Sequence, residues 1–146
     1  MALTSRGQYQ YGDSSEDART YLRDYSKTAG YLAQQFAEPT CTCGHKTFLL
    51  ALDEEQGVAV RTCNACQARH PVGDSAEYLS EAHLEECACP CGAEAFELTI
   101  GVSLYPESDA VRWVYIGARC AGCGLVGCYG DWKNEHEDYD AYLQQT

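Results

Sequence analysis

Cys41-Thr42-Cys43-Gly44 leads on to Cys63-Asn64-Ala65-Cys66, and the same order recurs as Cys89-Pro90-Cys91-Gly92 and Cys120-Ala121-Gly122-Cys123. Each copy is a C-x-C-G pair followed by a C-x-x-C pair, a spacing at which thiolates converge on a metal ion. Nineteen residues separate Cys43 from Cys63, and twenty-eight separate Cys91 from Cys120. The repeat runs past the ligands: Gly73-Asp74 follows Cys66 by seven residues, and Gly130-Asp131 follows Cys123 by seven. A third such pair, Gly12-Asp13, stands ahead of the first copy.

The residues between the paired cysteines read as hairpins. Phe48, Leu50 and Leu52 alternate before the polar turn Asp53-Glu54-Glu55-Gln56-Gly57, and Val58, Val60 and Thr62 lead back to Cys63. The second hairpin is longer. Phe96, Leu98, Ile100, Val102 and Leu104 alternate up to the turn Pro106-Glu107-Ser108-Asp109, and residues 111–118 return. The return strand carries large side chains on both faces, Trp113 and Tyr115 among them, which implies burial on two sides or a partner surface. Arg69-His70-Pro71-Val72 reads as a short third strand.

Around the hairpins the pattern is helical. Asp13-Ser14-Ser15-Glu16 has the form of an acidic cap. Ala18, Tyr21, Leu22, Tyr25, Ala29, Leu32, Ala33 and Phe36 then fall on one helical stripe that Pro39 ends, with Gly30 as a break point. Asp74-Ser75-Ala76-Glu77 repeats the cap and starts an acidic connector helix. Tyr139, Tyr142 and Leu143 mark a terminal helical face.

Ten cysteines in 146 residues suit either a disulfide scaffold or metal binding. The first seven residues lack the apolar region of a secretory signal, and no run reaches the eighteen apolar residues of a membrane span. The expectation is a reducing, cytoplasmic location and metal rather than disulfides. Four thiolates per site call for zinc, two ions per chain, and would also suit iron. The formal charge is −12, and two zinc sites of four thiolates each take it to roughly −16. Such acidity argues against phosphate-backbone binding and for a basic partner.

The doubled pattern resembles the zinc-ribbon family, whose rubredoxin-like knuckles read C-P-x-C-G and C-x-x-C-G. Cys120-Ala121-Gly122-Cys123-Gly124 matches a family knuckle in full, while Cys41-Thr42-Cys43-Gly44 and Cys89-Pro90-Cys91-Gly92 are shorter by one residue. The resemblance covers residues 41–72 and 89–129 and implies two structural zincs. Their ligands would be Cys41, Cys43, Cys63 and Cys66, then Cys89, Cys91, Cys120 and Cys123. The fold expected is α+β, two tandem zinc-ribbon hairpin units with flanking helices. It divides into an N-terminal arm and helix (1–40), ribbon 1 (41–73), an acidic connector helix (74–88), ribbon 2 (89–130) and a C-terminal helix (131–146).

A closed four-sulfur site leaves no open position for water or substrate, so it holds a fold and does not catalyse. Other ligand candidates do not recur: His45 and His70 correspond to Ala93 and Gly127. Two thiols stand outside the repeat. Cys87 can stand in for Cys89 or lie near Cys128, and both are read as buried spare thiols, with a redox or enzymatic role as the sharper alternative. No nucleotide-binding glycine pattern and no hydrolase motif is present.

The function expected is therefore a non-enzymatic, zinc-stabilised, acidic module that binds a basic protein surface, as an inhibitor or immunity-type protein does. Candidate partner residues in the acidic connector are Glu77, Glu81, Glu85 and Glu86. The others are Trp113, Asp131, Trp132, Glu135, Glu137 and Asp138. The alternative is a nucleic-acid-associated zinc ribbon, which requires a basic patch from Arg61, Arg69, Arg112 and Arg119.

Overall fold

A computed structural model describes residues 3–146, and these are mixed α/β, mostly one antiparallel sheet with few helices. Residues 1–12, read as a partly extended arm, contain the hairpin β1 (Thr4–Arg6) and β2 (Tyr9–Tyr11). Helix α1 (Ser15–Ala29) follows, then the short β3 (Gln35–Ala37). The first Cys-rich copy contributes β4 (Phe48–Asp53), β5 (Val58–Cys63) and β6 (Arg69–Pro71). Two 3₁₀ turns (Ser75–Glu77 and Leu79–Glu81) and the two-residue β7 (Glu85–Glu86) link it to the second copy. That copy holds β8 (Phe96–Leu104), β9 (Val111–Cys120) and the twelve-residue β10 (Leu125–His136), after which α2 (Tyr139–Gln144) closes the chain.

Three helical expectations are corrected. The first helix ends at Gly30, whose φ of +92° is the left-handed conformation of a helix stop, and Phe36 lies on a strand instead. Its N-cap is Ser14; the acid that serves this end is Asp17, whose Oδ2 accepts from the Asp13 amide at 2.8 Å. The connector 74–88 is not a helix but two single turns and a strand. Gly130-Asp131 starts no helix either: both residues lie within β10, and only 139–144 are helical at the C-terminus.

The strands run in the order β1-β2-β10-β9-β8-β4-β5-β6. Positions 48 apart ahead of the hairpin tips and 57 apart after them correspond, as Cys41 with Cys89 and Cys63 with Cys120. The pairing register respects this correspondence. Val60, Arg61 and Thr62 of β5 face Pro71, His70 and Arg69, and their counterparts Gly117, Ala118 and Arg119 of β9 face Cys128, Gly127 and Val126. The two copies meet at equivalent residues, Phe48 opposite Phe96. Beyond that point β4 and β8 diverge, and each takes a strand from the other copy's approach segment: β3 pairs with β8 through Ala37 and Ile100, and β7 pairs with β4 through Glu85 and Leu52. These pairs correspond residue for residue. The two halves are thus joined about a local two-fold with reciprocal strand exchange, an arrangement usually seen between subunits.

Both faces of the central strands are covered. One carries the large core, including Phe48, Leu50, Phe96, Leu98, Ile100 and Ile116. The other carries Leu22 of α1, Ala33 and Tyr115, flanked by Tyr25, Phe36 and Trp113. The helix approaches closely because β9 has Gly117 beneath it: a Cβ there would meet Leu22 Cδ1 at 2.8 Å. No helix among the described residues is long and apolar enough to cross a membrane.

Candidate metal centres and the acidic face

Each hairpin base gathers four thiols. Cys41, Cys43, Cys63 and Cys66 form one group and Cys89, Cys91, Cys120 and Cys123 the other, with all sulfurs of a group within 4.8 Å of one another. The cross-contacts are the same in both: Cys41–Cys66 at 3.5 Å and Cys43–Cys63 at 3.6 Å, Cys89–Cys123 at 3.5 Å and Cys91–Cys120 at 3.7 Å. A tetrahedral ion with bonds of about 2.3 Å separates its sulfurs by about 3.8 Å, whereas a disulfide brings them to about 2.0 Å. The ten cysteines are all unbridged. Two four-cysteine groups that could hold metal ions are therefore present.

The knuckles show how the sequence builds these bases. In the short C-x-C-G turns, Gly44 donates to Cys41 O and Gly92 to Cys89 O, both at 2.8 Å, with φ of +93° and +94°. In the C-x-x-C turns, Gln67 donates to Cys63 O at 3.0 Å and Gly124 to Cys120 O at 2.9 Å. Amides two residues on point at the sulfurs: Ala65 to Cys63 at 3.4 Å and Gly122 to Cys120 at 3.3 Å. The shorter bite retains this feature. The Cys43 amide, then the Cys66 thiol, lowers the Cys41 pKa to about 6, and the Ala93 amide, then the Cys89 thiol, brings Cys91 to about 7. Burial and its thiol neighbours push Cys89 up to about 12. Four sulfurs this close need a cation before all can ionise.

One departure from the repeat carries a cost. Gln67 stands where the other copy has Gly124, and it adopts φ +67°. A left-handed non-glycine residue costs about 1–2 kcal/mol. Gln67→Gly is expected to stabilise the protein by about 1 kcal/mol, read as a higher midpoint in urea at unchanged slope. A lower midpoint would show that the Gln67 side chain, which donates to Asn64 O at 3.2 Å, contributes more than the strain.

The remaining thiols and histidines lie elsewhere. Cys87 packs at the edge of the large core and Cys128 beside the small one, on opposite faces of the sheet, so of the readings offered for Cys87, a place near Cys128 is not the one adopted. Cys87 does not stand in for Cys89. His70 Nε2 lies 2.6 Å from Gln145 O, and His45 uses its carbonyl to accept from the Cys41 amide.

Glu85 and Glu86 are exposed on β7, and with Asp53, Glu54, Glu55 and Cys87 they line a cleft of about 420 Å³. Glu54 Oε2 accepts from the Asp131 amide at 3.2 Å, which ties this cleft to β10. Glu77, Glu81, Glu135, Glu137 and Asp138 are exposed; Asp138 caps α2 by accepting from the Asp140 amide. None of these carboxylates is ion-paired among the described residues, where the pairs are Arg19–Glu38, Asp24–Lys27 and Glu97–Arg119. Of the aromatic candidates, Trp113 is half-buried and Trp132 buried. Trp132 is only 6% exposed. Trp113 stacks on Tyr31 at 4.7 Å and donates from Nε1 to Asp131 Oδ2 at 2.9 Å.

The four arginines do not gather into a patch. Arg61 is buried over the Phe48 ring and donates to Thr146 O. Arg119 donates to Gly12 O and to Glu97, and Arg112 lies over the Tyr31 ring and donates to Ser103 Oγ. Arg69 is exposed on the edge strand β6. The residues that the one-dimensional reading missed are Asp74 and Asn134, a buried polar pair joining β10 to the turn after β6. Their only signal was the position of Asp74 in the repeated Gly-Asp. Comparison of the chain with protein-family models, curated proteins and solved structures returns no match.

Proposed function

We propose that this is a non-enzymatic, cytoplasmic protein whose two four-cysteine groups each hold a structural zinc and whose acidic face binds a basic surface on another protein, in the manner of an inhibitor or immunity-type protein. The observation that carries this reading is the excess of acid around the β4–β5 turn: Asp53, Glu54, Glu55, Glu85 and Glu86 share one cleft with His83, and no lysine or arginine pairs with them among the described residues. A basic partner would supply the missing counter-charge, steering encounter and fixing register. The zinc assignment is supported by sulfur spacing and the all-thiolate donor set, and a closed tetrahedral site keeps no position for substrate. Against the nucleic-acid alternative, three of its four arginines are engaged within the chain.

Capture of a stoichiometric basic protein from native cell extract tests the reading. Affinity is expected to fall at least tenfold between about 50 and 300 mM salt, and again on Glu85→Lys with Glu86→Lys. Binding indifferent to both changes would remove the electrostatic basis, and an RNA or DNA partner recovered in place of a protein would favour the alternative.

A further inference from the structure

Beside the acidic cleft, across Gln56 at the tip of the first hairpin, lies a second hollow of about 290 Å³. Asp74 is at its wall and only 9% exposed. Its two carboxylate oxygens accept from Asn134 Nδ2 at 3.1 and 2.9 Å, and no lysine or arginine pairs with it among the described residues. A buried carboxylate held by one neutral side-chain amide is under-compensated. Two further polar atoms of its lining residues are buried and unpaired. Asn134 is 8% exposed, and its Oδ1, an acceptor, has no partner. Trp132 is 6% exposed, and its Nε1, a donor, has none either, although the other tryptophan satisfies its own through Asp131. At the mouth stands Tyr78, 47% exposed and one of the few large apolar side chains that faces water, with Lys133 and Glu135 on the rim.

We infer that this hollow is a recognition pocket for an arginine residue of the basic partner. The inference rests on the proposed reading that such a partner exists, and it names what that partner inserts. A guanidinium brings N–H donors for the Asp74 carboxylate and for Asn134 Oδ1, and its plane can lie on the Tyr78 ring. The arginine residue also carries a main-chain carbonyl, the acceptor that the Trp132 N–H lacks. A cation-only ligand with no acceptor, or an anion, would leave part of this set unsatisfied.

The chain has two tryptophans, so its indole N–H groups give two separable signals in a ¹⁵N–¹H NMR spectrum. Trp132→Phe assigns them, and Trp113 serves as the internal control. Titration with Nα-acetyl-arginine amide is expected to move the Trp132 signal saturably and leave that of Trp113 in place. Nα-acetyl-citrulline amide, the uncharged isostere, is expected to bind about tenfold more weakly or worse. Asp74→Asn, which keeps the shape, should abolish the preference for arginine. If that variant does not fold, Tyr78→Ala on the surface is expected to weaken binding several-fold. No movement of the Trp132 signal, or equal affinity for the two amides, overturns the inference. The two readings fail separately: salt-sensitive capture of a basic protein with an unmoved Trp132 signal leaves the proposed function standing and removes the pocket. Arginine-amide binding without any captured protein does the reverse.

Discussion

Stripping metal from this protein is expected to unfold both hairpin bases, with loss of sheet signal in far-ultraviolet circular dichroism and release of two ions per chain. Four buried cysteines, Cys41, Cys63, Cys89 and Cys120, are part of the same core as Phe48 and Phe96. The two four-cysteine groups are thus not appended to the fold; they complete its interior. Without a cation, four sulfurs at contacts of 3.5–3.7 Å cannot all ionise together. Structural zinc supplies about 10–16 kcal/mol in small domains, more than the total stability of most domains this size. Because each ligand must be deprotonated, this contribution falls as pH falls. Cys63→Ser should remove the first ion and Cys120→Ser the second, each read by metal analysis at one ion per chain. A protein that keeps its spectrum and its denaturation midpoint after exhaustive chelation would overturn the assignment.

The second large effect is expected at the junction of the two halves. Phe48 and Phe96 face one another across the β4–β8 step, and each is fully buried. Phe96 also meets Tyr129 edge-on at 5.1 Å, and Phe48 lies under the Arg61 guanidinium at 4.7 Å. Truncating either removes a large apolar group from a site held on several sides, so Phe96→Ala should cost about 3–5 kcal/mol in urea denaturation. The double change Phe48→Ala with Phe96→Ala should cost measurably less than the sum, because the two side chains share one cavity. Strict additivity would mean that the halves are stabilised independently and that the junction is only a point of contact. Metal retention in the single variants separates a weakened junction from a lost ligand site.

Much of the scaffold is legible in one dimension. The eight cysteines at repeated spacing name both sulfur groups, since pairs of thiols at a hairpin base are few residues apart and local turn geometry brings them together. Alternation from Phe48 to Leu52 and from Phe96 to Leu104 names the strands for the same local reason. The errors arise where local and long-range preferences compete. Leu32, Ala33 and Phe36 continue the helical stripe of α1, yet Gly30 turns the chain, and Phe36 is needed on β3 beside β8. Trp132 and the residues after Gly130 carry no strong strand pattern, but β9 offers them a long open edge, and pairing with Trp113, Val114 and Tyr115 extends β10 through them. In the first copy the same Gly-Asp leaves the sheet: Val72 still donates to Ala59 O at 2.8 Å, Gly73 then turns at φ +60°, and the Ala59 amide is taken by Ser75 Oγ instead of a further strand residue.

Composition and short spacings are enough to establish that two thiol quartets exist, which residues form them, and that acid outweighs base. Folding in three dimensions was needed to join the copies back to back through Phe48 and Phe96 with β3 and β7 exchanged. It also places Trp132 inside while Glu85 and Glu86 face outward, and it brings Asp74, Asn134 and Trp132 to the wall of one hollow. Those facts depend on which distant edges pair, and the hydrogen-bonding capacity of a strand edge is the same whatever side chains it carries. The choice among edges is made by the burial that each pairing allows, which exists only once the whole sheet has formed.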